Sequence, residues 1–295
     1  NVFQKLSRGR KPLPTHGNIK SGNISSFLNH YIIIIYYARI KKLRLCRGII
    51  KSVSMAKNKK KDRKSLLVPA KDLPAFPHPH DWRHSFHWRV FRIMAEFVEG
   101  FQFLADFKKT VTFFGSARFN ENHKWYKTAR ELGRLLGKSG YSVITGGGPG
   151  IMEAGNRGVV DANDKGDSIG LNIQLPHEQR VNPYVQKARG FYYFFTRKVM
   201  LSFAAQAYVF FPGGFGTLDE AFEILTLVQT KKIYSKVPII LVGKDFWGNI
   251  DKWMKEKLLK EYQTIDADDV KLYSIVDTAA EAFKIIKRSK QRKEF

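Results

Sequence analysis

Three glycine-rich turns hold the residue types from which a phosphate site can be built. Phe113-Phe114-Gly115-Ser116-Ala117-Arg118 closes one apolar run. Thr145-Gly146-Gly147-Gly148-Pro149-Gly150-Ile151-Met152-Glu153 closes a second and opens a helical pattern. Phe211-Pro212-Gly213-Gly214-Phe215-Gly216-Thr217-Leu218-Asp219-Glu220 does the same further along. Bare glycine backbone reaches φ > 0 and can aim successive N–H groups at one point. A helix that follows adds partial positive charge at its start. One such turn can be no more than a tight connection, but three closing the strands of a single sheet favour an anion site. Gly115 and Ser116 of the first turn, and Gly146, Gly147 and Gly148 of the second, are therefore candidate binding residues. The turns lack the dinucleotide spacing G-x-G-x-x-G, because counting from Gly146 reaches Ile151 and counting from Gly214 reaches Asp219. Gly133 to Ser139 approaches a P-loop, yet it is one residue short between its glycines and sits late in a helical pattern. Phosphate binding without the usual NAD or ATP signature is the reading that remains.

Two charged side chains stand close to these turns. Glu220 opens a helix beside the third turn, where a carboxylate could stabilise an oxocarbenium-like ribose or orient an attacking water. Thr217-Leu218-Asp219-Glu220 also reads as a capping box, which would spend the same carboxylate on the backbone. Arg197 follows Thr196, a plausible N-cap, and a cation in a first helical turn opposes the helix dipole. That placement suggests an anionic partner, either a phosphate or Glu220; the alternative is an exposed Arg beside a solvated Lys198. Glu178 lies in the Pro176–Arg180 loop and reads equally well as surface. Glu153 reads as helix capping. His78, His80, His84 and His87 cluster, but with Asp81 as the only nearby carboxylate and no Cys they read as packing or solvated groups, and no metal site is expected.

The elements that position these residues alternate. After a lead-in broken by Pro69, Pro74, Pro77 and Pro79, a helical pattern runs from Trp82 to Phe107 with a broad apolar face that must pack on something. Strands are expected at Val111–Phe114, Tyr141–Thr145, Ser168–Ile173, Gly190–Phe195, Ala207–Phe211, Val237–Val242 and Tyr273–Val276. Helices are expected at Lys124–Lys138, Ile151–Asn163, Arg197–Gln206, Leu218–Thr230, Phe246–Tyr262 and Thr278–Arg288. Such alternation implies βαβ crossovers and a Rossmann-like α/β fold: a doubly wound, mostly parallel sheet with helices on both faces, preceded by a long N-terminal helix. Its ligand belongs beyond the carboxyl ends of the strands.

The 295 residues are 43% hydrophobic and 26% charged, enough for a full core. The net charge of +25 would suit a nucleic-acid partner, but it is unevenly placed. Residues 1–54 hold eleven basic and no acidic residues, whereas 111–295 hold 28 basic against 20 acidic. With no aromatic-plus-basic RNA motif, no nucleic-acid partner is expected. Cys46, the only cysteine, excludes an intramolecular disulfide. Residues 1–54 read as an upstream or disordered basic tail before a start at Met55, with a transit peptide as the alternative; a chain beginning at Met55 is expected to fold and bind ligand. The apolar burst Tyr31–Tyr37 is too short to span a bilayer, so no membrane partner is expected and the protein reads as cytoplasmic. The remaining divisions are a basic, Pro-containing lead-in at 55–80, the helix at 81–108, a nucleotide-binding domain at 109–290 and a basic tail at 291–295.

Pro212 to Glu220, preceded by Thr196-Arg197-Lys198-Val199-Met200, resembles the LONELY GUY (LOG) family, long labelled lysine decarboxylases. The likeness runs from about Trp88 to Ile286 and includes the Gly-Gly-Gly-Pro-Gly-Ile-Met-Glu-Ala and Phe-Gly-Ser-Ala-Arg turns. The long preceding helix resembles the bacterial-type branch. The resemblance implies an N-glycosyl hydrolase, a cytokinin riboside 5′-monophosphate phosphoribohydrolase or AMP nucleosidase, with no metal or other cofactor. It implies catalytic positions at Arg197 and Glu220. Gly213, Gly214, Phe215, Gly216, Thr217, Leu218, Asp219, Lys198 and Thr226 would line the nucleotide site, with Glu178 beside them. It also implies a homodimer or an assembly of dimers, which the several apolar faces of Phe222–Val228 would suit. The chain departs from plant-type members at Tyr193-Phe194-Phe195-Thr196, where many carry a polar Met-His-Gln, so the preferred base stays open. A nucleotide-binding sensor or carrier without turnover is the competing reading. Nothing marks a pyridoxal-phosphate lysine.

Overall fold

The structure is a computed structural model that describes residues 86–174, 181–203, 205–233 and 236–289. Glu178, the proline lead-in, Trp82, His78, His80 and His84 lie outside the described residues. The order is α1 (Phe86–Leu104), β1 (Thr110–Phe114), α2 (Lys124–Lys138), β2 (Ser142–Thr145), α3 (Ile151–Ala162), β3 (Ser168–Ile173) and β4 (Lys187–Phe191). There follow α4 (Phe194–Phe203), β5 (Ala207–Phe210), α5 (Phe215–Gln229), β6 (Ile239–Val242), α6 (Lys244–Trp253), β7 (Tyr273–Val276) and α7 (Ala279–Arg288).

The strands form one parallel sheet in the order β4-β3-β2-β1-β5-β6-β7. Strands such as β1 and β5 are buried throughout, as a sheet covered on both faces requires. Alternate residues feed two cores. Phe114, Ile144, Leu171, Phe210 and Leu241 pack on one side with α4, α5 and α6. Val111, Phe113, Val143, Val209 and Ile240 pack on the other with α2, α3 and α7. The Rossmann-like, doubly wound reading holds. Among the described residues no helix is long and apolar enough to cross a membrane.

Strand order reverses between β1 and β5, which opens a crevice beyond their carboxyl ends. The first and third glycine turns leave these two strands side by side. The Ser116 N–H donates to Pro212 O at 3.1 Å, and the Phe211 N–H donates to Phe114 O at 2.9 Å.

Several element boundaries differ from those expected. Gly190–Phe195 is not a strand: β4 ends at Phe191 and α4 begins at Phe194, three residues before Arg197. Thr196 therefore sits inside the first turn of α4 rather than capping it. Helix α5 begins at Phe215, not Leu218, so Glu220 is in its second turn and no capping box joins it to Thr217. Helix α6 passes into a π-helical stretch, Met254–Glu261, instead of continuing as one α-helix. Of the apolar face of α1, Phe97, Phe101 and Leu104 pack on the core, while Trp88, Phe91, Met94 and Val98 stay exposed.

Gly133, Gly137 and Gly158 let α2 and α3 touch backbone to backbone, while Gly155 lets α3 approach Phe113 of β1. A Cβ on Gly133 would stand 2.5 Å from Gly155 O, and one on Gly158 would collide with Arg130 O. The near-P-loop at Gly133 is thus a packing device. Gly158→Ala should force the helices apart and cost about 2–3 kcal/mol. Thermal unfolding checks this: Tm should fall by roughly 5–10 °C.

Candidate active site

The crevice is a cavity of about 710 Å³. Gly115 and Ser116 after β1, Gly146 after β2, and Gly214, Phe215, Gly216, Thr217 and Leu218 at the start of α5 line it, together with Arg197 and Glu220. Four separate stretches of chain are therefore brought to one place. Gly214 caps α5 with no side-chain hydrogen bond, and no acid occupies the first turn. The α5 terminus thus offers its opening N–H groups and its dipole to the cavity.

Other expected residues play different parts. Gly147 and Gly148 do not line the cavity; they hold the second turn in shape. Gly147 takes φ +75° and donates its N–H to Thr145 Oγ1 at 3.0 Å. Thr145 Oγ1 donates to Asn156 Oδ1 at 2.7 Å, and the Asn182 amide nitrogen lies 3.2 Å from Gly147 O and 3.0 Å from Gly148 O. Gly213 lets the third turn approach the first, since a Cβ there would meet Ser116 N at 3.0 Å. Lys198 points away from the cavity to Asp219 Oδ2 at 2.8 Å and Glu223 Oε2 at 2.7 Å, so neither Lys198 nor Asp219 lines it. Thr226 is exposed on α5, its hydroxyl donating to Phe222 O at 2.8 Å. Glu153 caps nothing by its side chain; Oε1 accepts the Tyr126 hydroxyl at 2.8 Å.

Other lining residues are Arg118, Met152, Phe194 and Leu201. Arg118 and Met152 stand inside turns already legible as motifs. Phe194 and Leu201 could be placed only once α4 was known to start before Arg197.

Arg197 and Glu220 do not cap or float; both are held in the wall. The Arg197 Nε donates to Leu171 O at 2.7 Å, and a terminal nitrogen rests against Gly146, where a Cβ would collide with it. Burial lowers the guanidinium pKa, and the Glu220 charge opposes that shift. Glu220 is 6% exposed, and its Oε2 is buried with no hydrogen-bond partner among the described residues. Burial pushes its pKa up to about 7, with Glu223 and Asp219 adding to the rise and Lys198 and Arg197 opposing it. At Lys198 burial works against the ammonium, but hydrogen bonds to Asp219 and Glu223 outweigh it and raise its pKa. A carboxyl that titrates near neutrality beside a fixed cation can exchange a proton or offset a developing positive charge.

Residues 152–286 match the family described as "Possible lysine decarboxylase". The cytokinin riboside 5′-monophosphate phosphoribohydrolase LOG of Oryza sativa subsp. japonica is 28% identical over 161 residues, which cover 52% of this chain and 65% of that protein. The resemblance to the LONELY GUY family is borne out. A second LOG relative from the same rice, the probable cytokinin riboside 5′-monophosphate phosphoribohydrolase LOGL5, is 26% identical over 46% of this chain and 55% of its own length. The chain spans less than two thirds of the length of these LOG relatives. Among solved structures, the molybdenum cofactor carrier protein of Chlamydomonas reinhardtii aligns with TM-score 0.46 and 22% identity, covering 61% of this chain and 97% of that one. The molybdenum cofactor binding protein of Rippkaea orientalis aligns with TM-score 0.43 and 21% identity, covering 60% and 93%.

The titration of Glu220 has a direct consequence for stability. The carboxyl titrates near 4.5 when solvated and about 7 when folded, so the native state holds the proton more tightly. Its contribution to folding is full below 4.5 and is lost as pH rises to 7, by on the order of 3 kcal/mol. Glu220→Gln should therefore match the wild type near pH 4.5 and exceed its stability at pH 8 by about that amount. Urea unfolding at the two pH values measures the difference.

Proposed function

We propose that this protein hydrolyses the N-glycosidic bond of a purine nucleoside 5′-monophosphate, releasing free base and ribose 5-phosphate. AMP and an N6-prenylated, cytokinin-type nucleotide are the candidate substrates. The observation that carries this reading is the buried Glu220 carboxyl, whose Oε2 has no hydrogen-bond partner among the described residues, in one cavity with Arg197 and a helix terminus without a side-chain cap. The 5′-phosphate is received by the start of α5, from Gly214 to Thr217, with Ser116 opposite. The ribose then lies towards Glu220. As the bond to the base breaks, positive charge grows on the sugar, and ionised Glu220 stabilises it or takes a proton from the attacking water. Arg197, in the wall of the same cavity, adds positive charge beside the phosphate and the sugar. Met152, Phe194 and Phe215 give the base an apolar wall, with Phe215 93% exposed at the rim.

Incubation with AMP and with isopentenyladenosine monophosphate, followed by chromatography of the free base, tests the reaction. Base should be released at a rate that rises through pH 7 as Glu220 ionises. Glu220→Gln should lower turnover by about a hundredfold, roughly 3 kcal/mol, with nucleotide affinity held within several-fold. Arg197→Ala should weaken both. Tight nucleotide binding with no base released by the wild type would instead favour a sensor or carrier.

We also propose that the chain works as a homodimer or an assembly of dimers. The expected grounds change, because Ile224 and Val228 of α5 are absorbed by the chain's own core and only Phe222 is left exposed. The support now comes from Trp88, Phe91, Met94 and Val98 on α1 and from Tyr192, Phe194 and Phe195, all exposed. Light scattering at micromolar concentration should give at least twice the monomer mass; a monomer would refute it.

A further inference from the structure

Helix α4 carries Arg197 yet has no acid in its first turn, and the segment leading into it, Phe191-Tyr192-Tyr193, offers no cap. A carboxylate from another helix instead ties down the residues just before it. Glu96 of α1 accepts the Tyr192 N–H at 2.7 Å through Oε1 and the Tyr193 N–H at 3.3 Å through Oε2. The Thr196 hydroxyl lies 2.6 Å from the same Oε2 and 2.7 Å from Tyr193 O. The Arg197 N–H itself bonds back to Tyr193 O at 3.3 Å. Negative charge at a helix N-terminus is favourable, and here it also ties down the turn from which Arg197 projects.

The rest of α1 is fitted to the same neighbour. A Cβ on Gly100 would meet Met200 Sδ at 2.7 Å, so a larger residue there would have to displace the Met200 side chain. The Phe101 and Phe203 rings meet edge to face with centroids 4.5 Å apart. The Arg92 guanidinium stands over the Tyr192 ring at 4.9 Å, and Glu99 pairs with Arg189 of β4. From the far side of α4, Arg197 reaches Leu171 O and the cavity. Glu96 does not line the cavity, so any influence on chemistry must pass through α4.

We propose that Glu96 is a positioning residue for the hydrolytic site: by anchoring the start of α4 it sets where the Arg197 guanidinium stands relative to Glu220. This rests on the nucleotide-hydrolase reading above.

Glu96→Gln keeps one acceptor oxygen and the side-chain shape; Glu96→Ala removes every contact. Glu220 is faced by Arg197, Lys198, Asp219 and Glu223, and Arg197 draws its titration downward. A displaced Arg197 should therefore move the rising limb of kcat to higher pH. With AMP, kcat should fall about tenfold in Glu96→Gln and further in Glu96→Ala, KM should change less than about threefold, and the limb should shift upward by roughly half a pH unit. A lower Tm with the limb of the surviving activity unmoved would overturn the proposal, as would wild-type kinetics in Glu96→Ala. If the wild type releases no base from either nucleotide, it is the hydrolase reading that fails. Glu96 is then judged by infrared titration of the Glu220 carboxyl, its band identified by loss in Glu220→Gln. An upward shift in Glu96→Ala supports positioning, and an unmoved titration overturns it.

Discussion

A carboxylate buried in a cavity wall must be compensated, and the elements around the cavity are organised about the one at Glu220. Burial is the largest influence on this group and raises its pKa, with Glu223 and Asp219 adding to the rise. Arg197 and Lys198, consecutive on α4, pull in the other direction from two sides. One faces the cavity, and the other is engaged by Asp219 and Glu223 on the outer face of α5. The balance leaves a titration at about 7. That balance holds only while α4 and α5 keep their spacing, so the geometry of two helices governs the charge state of one side chain.

The spacing is inherited from the sheet. Reversal of strand order between β1 and β5 places two glycine turns side by side, and α5 starts directly from the second of them. Helix α4 precedes β5 and is held against β1 by the Thr112 hydroxyl, which donates to Leu201 O at 3.0 Å. Beneath the Gly146–Gly148 turn, Thr145, Asn156 and Asn182 form a closed polar network in which the donors find partners. A satisfied network in a dry interior fixes loop shape more firmly than apolar contacts do.

The strands and the glycine turns were legible in the sequence because each depends on local pattern: short apolar runs bounded by residues that permit sharp reversal. Arg197 and Glu220 were legible as charged groups beside those turns. Helix starts were read less well. Thr196 looks like an N-cap and Thr217 with Glu220 looks like a capping box, yet α4 and α5 both begin earlier. At α4, Glu96, almost a hundred residues upstream, accepts the Tyr192 and Tyr193 N–H groups just before the helix and meets the Thr196 hydroxyl inside its first turn. At α5 the backbone turns helical as soon as Gly214 permits it, and no side chain is needed there. The local pattern of a helix start carries no trace of a partner supplied through space. The pairing of Lys198 with Glu223 was hidden for the same reason, because it depends on how two helices face each other.

The glycine contact between α2 and α3 makes the two sides of the cavity mechanically unequal. Helices whose backbones touch have no side-chain layer to compress, so α3 and the turn that opens it form a stiff floor. On the opposite side α4 and α5 meet through long side chains, whose rotamers can adjust. Strain imposed by a bulky ligand would therefore be absorbed on the side that holds Arg197 and Glu220. Size discrimination and charge tuning are then mechanically coupled: a ligand that spreads those helices also loosens the grip of the cations on the carboxylate.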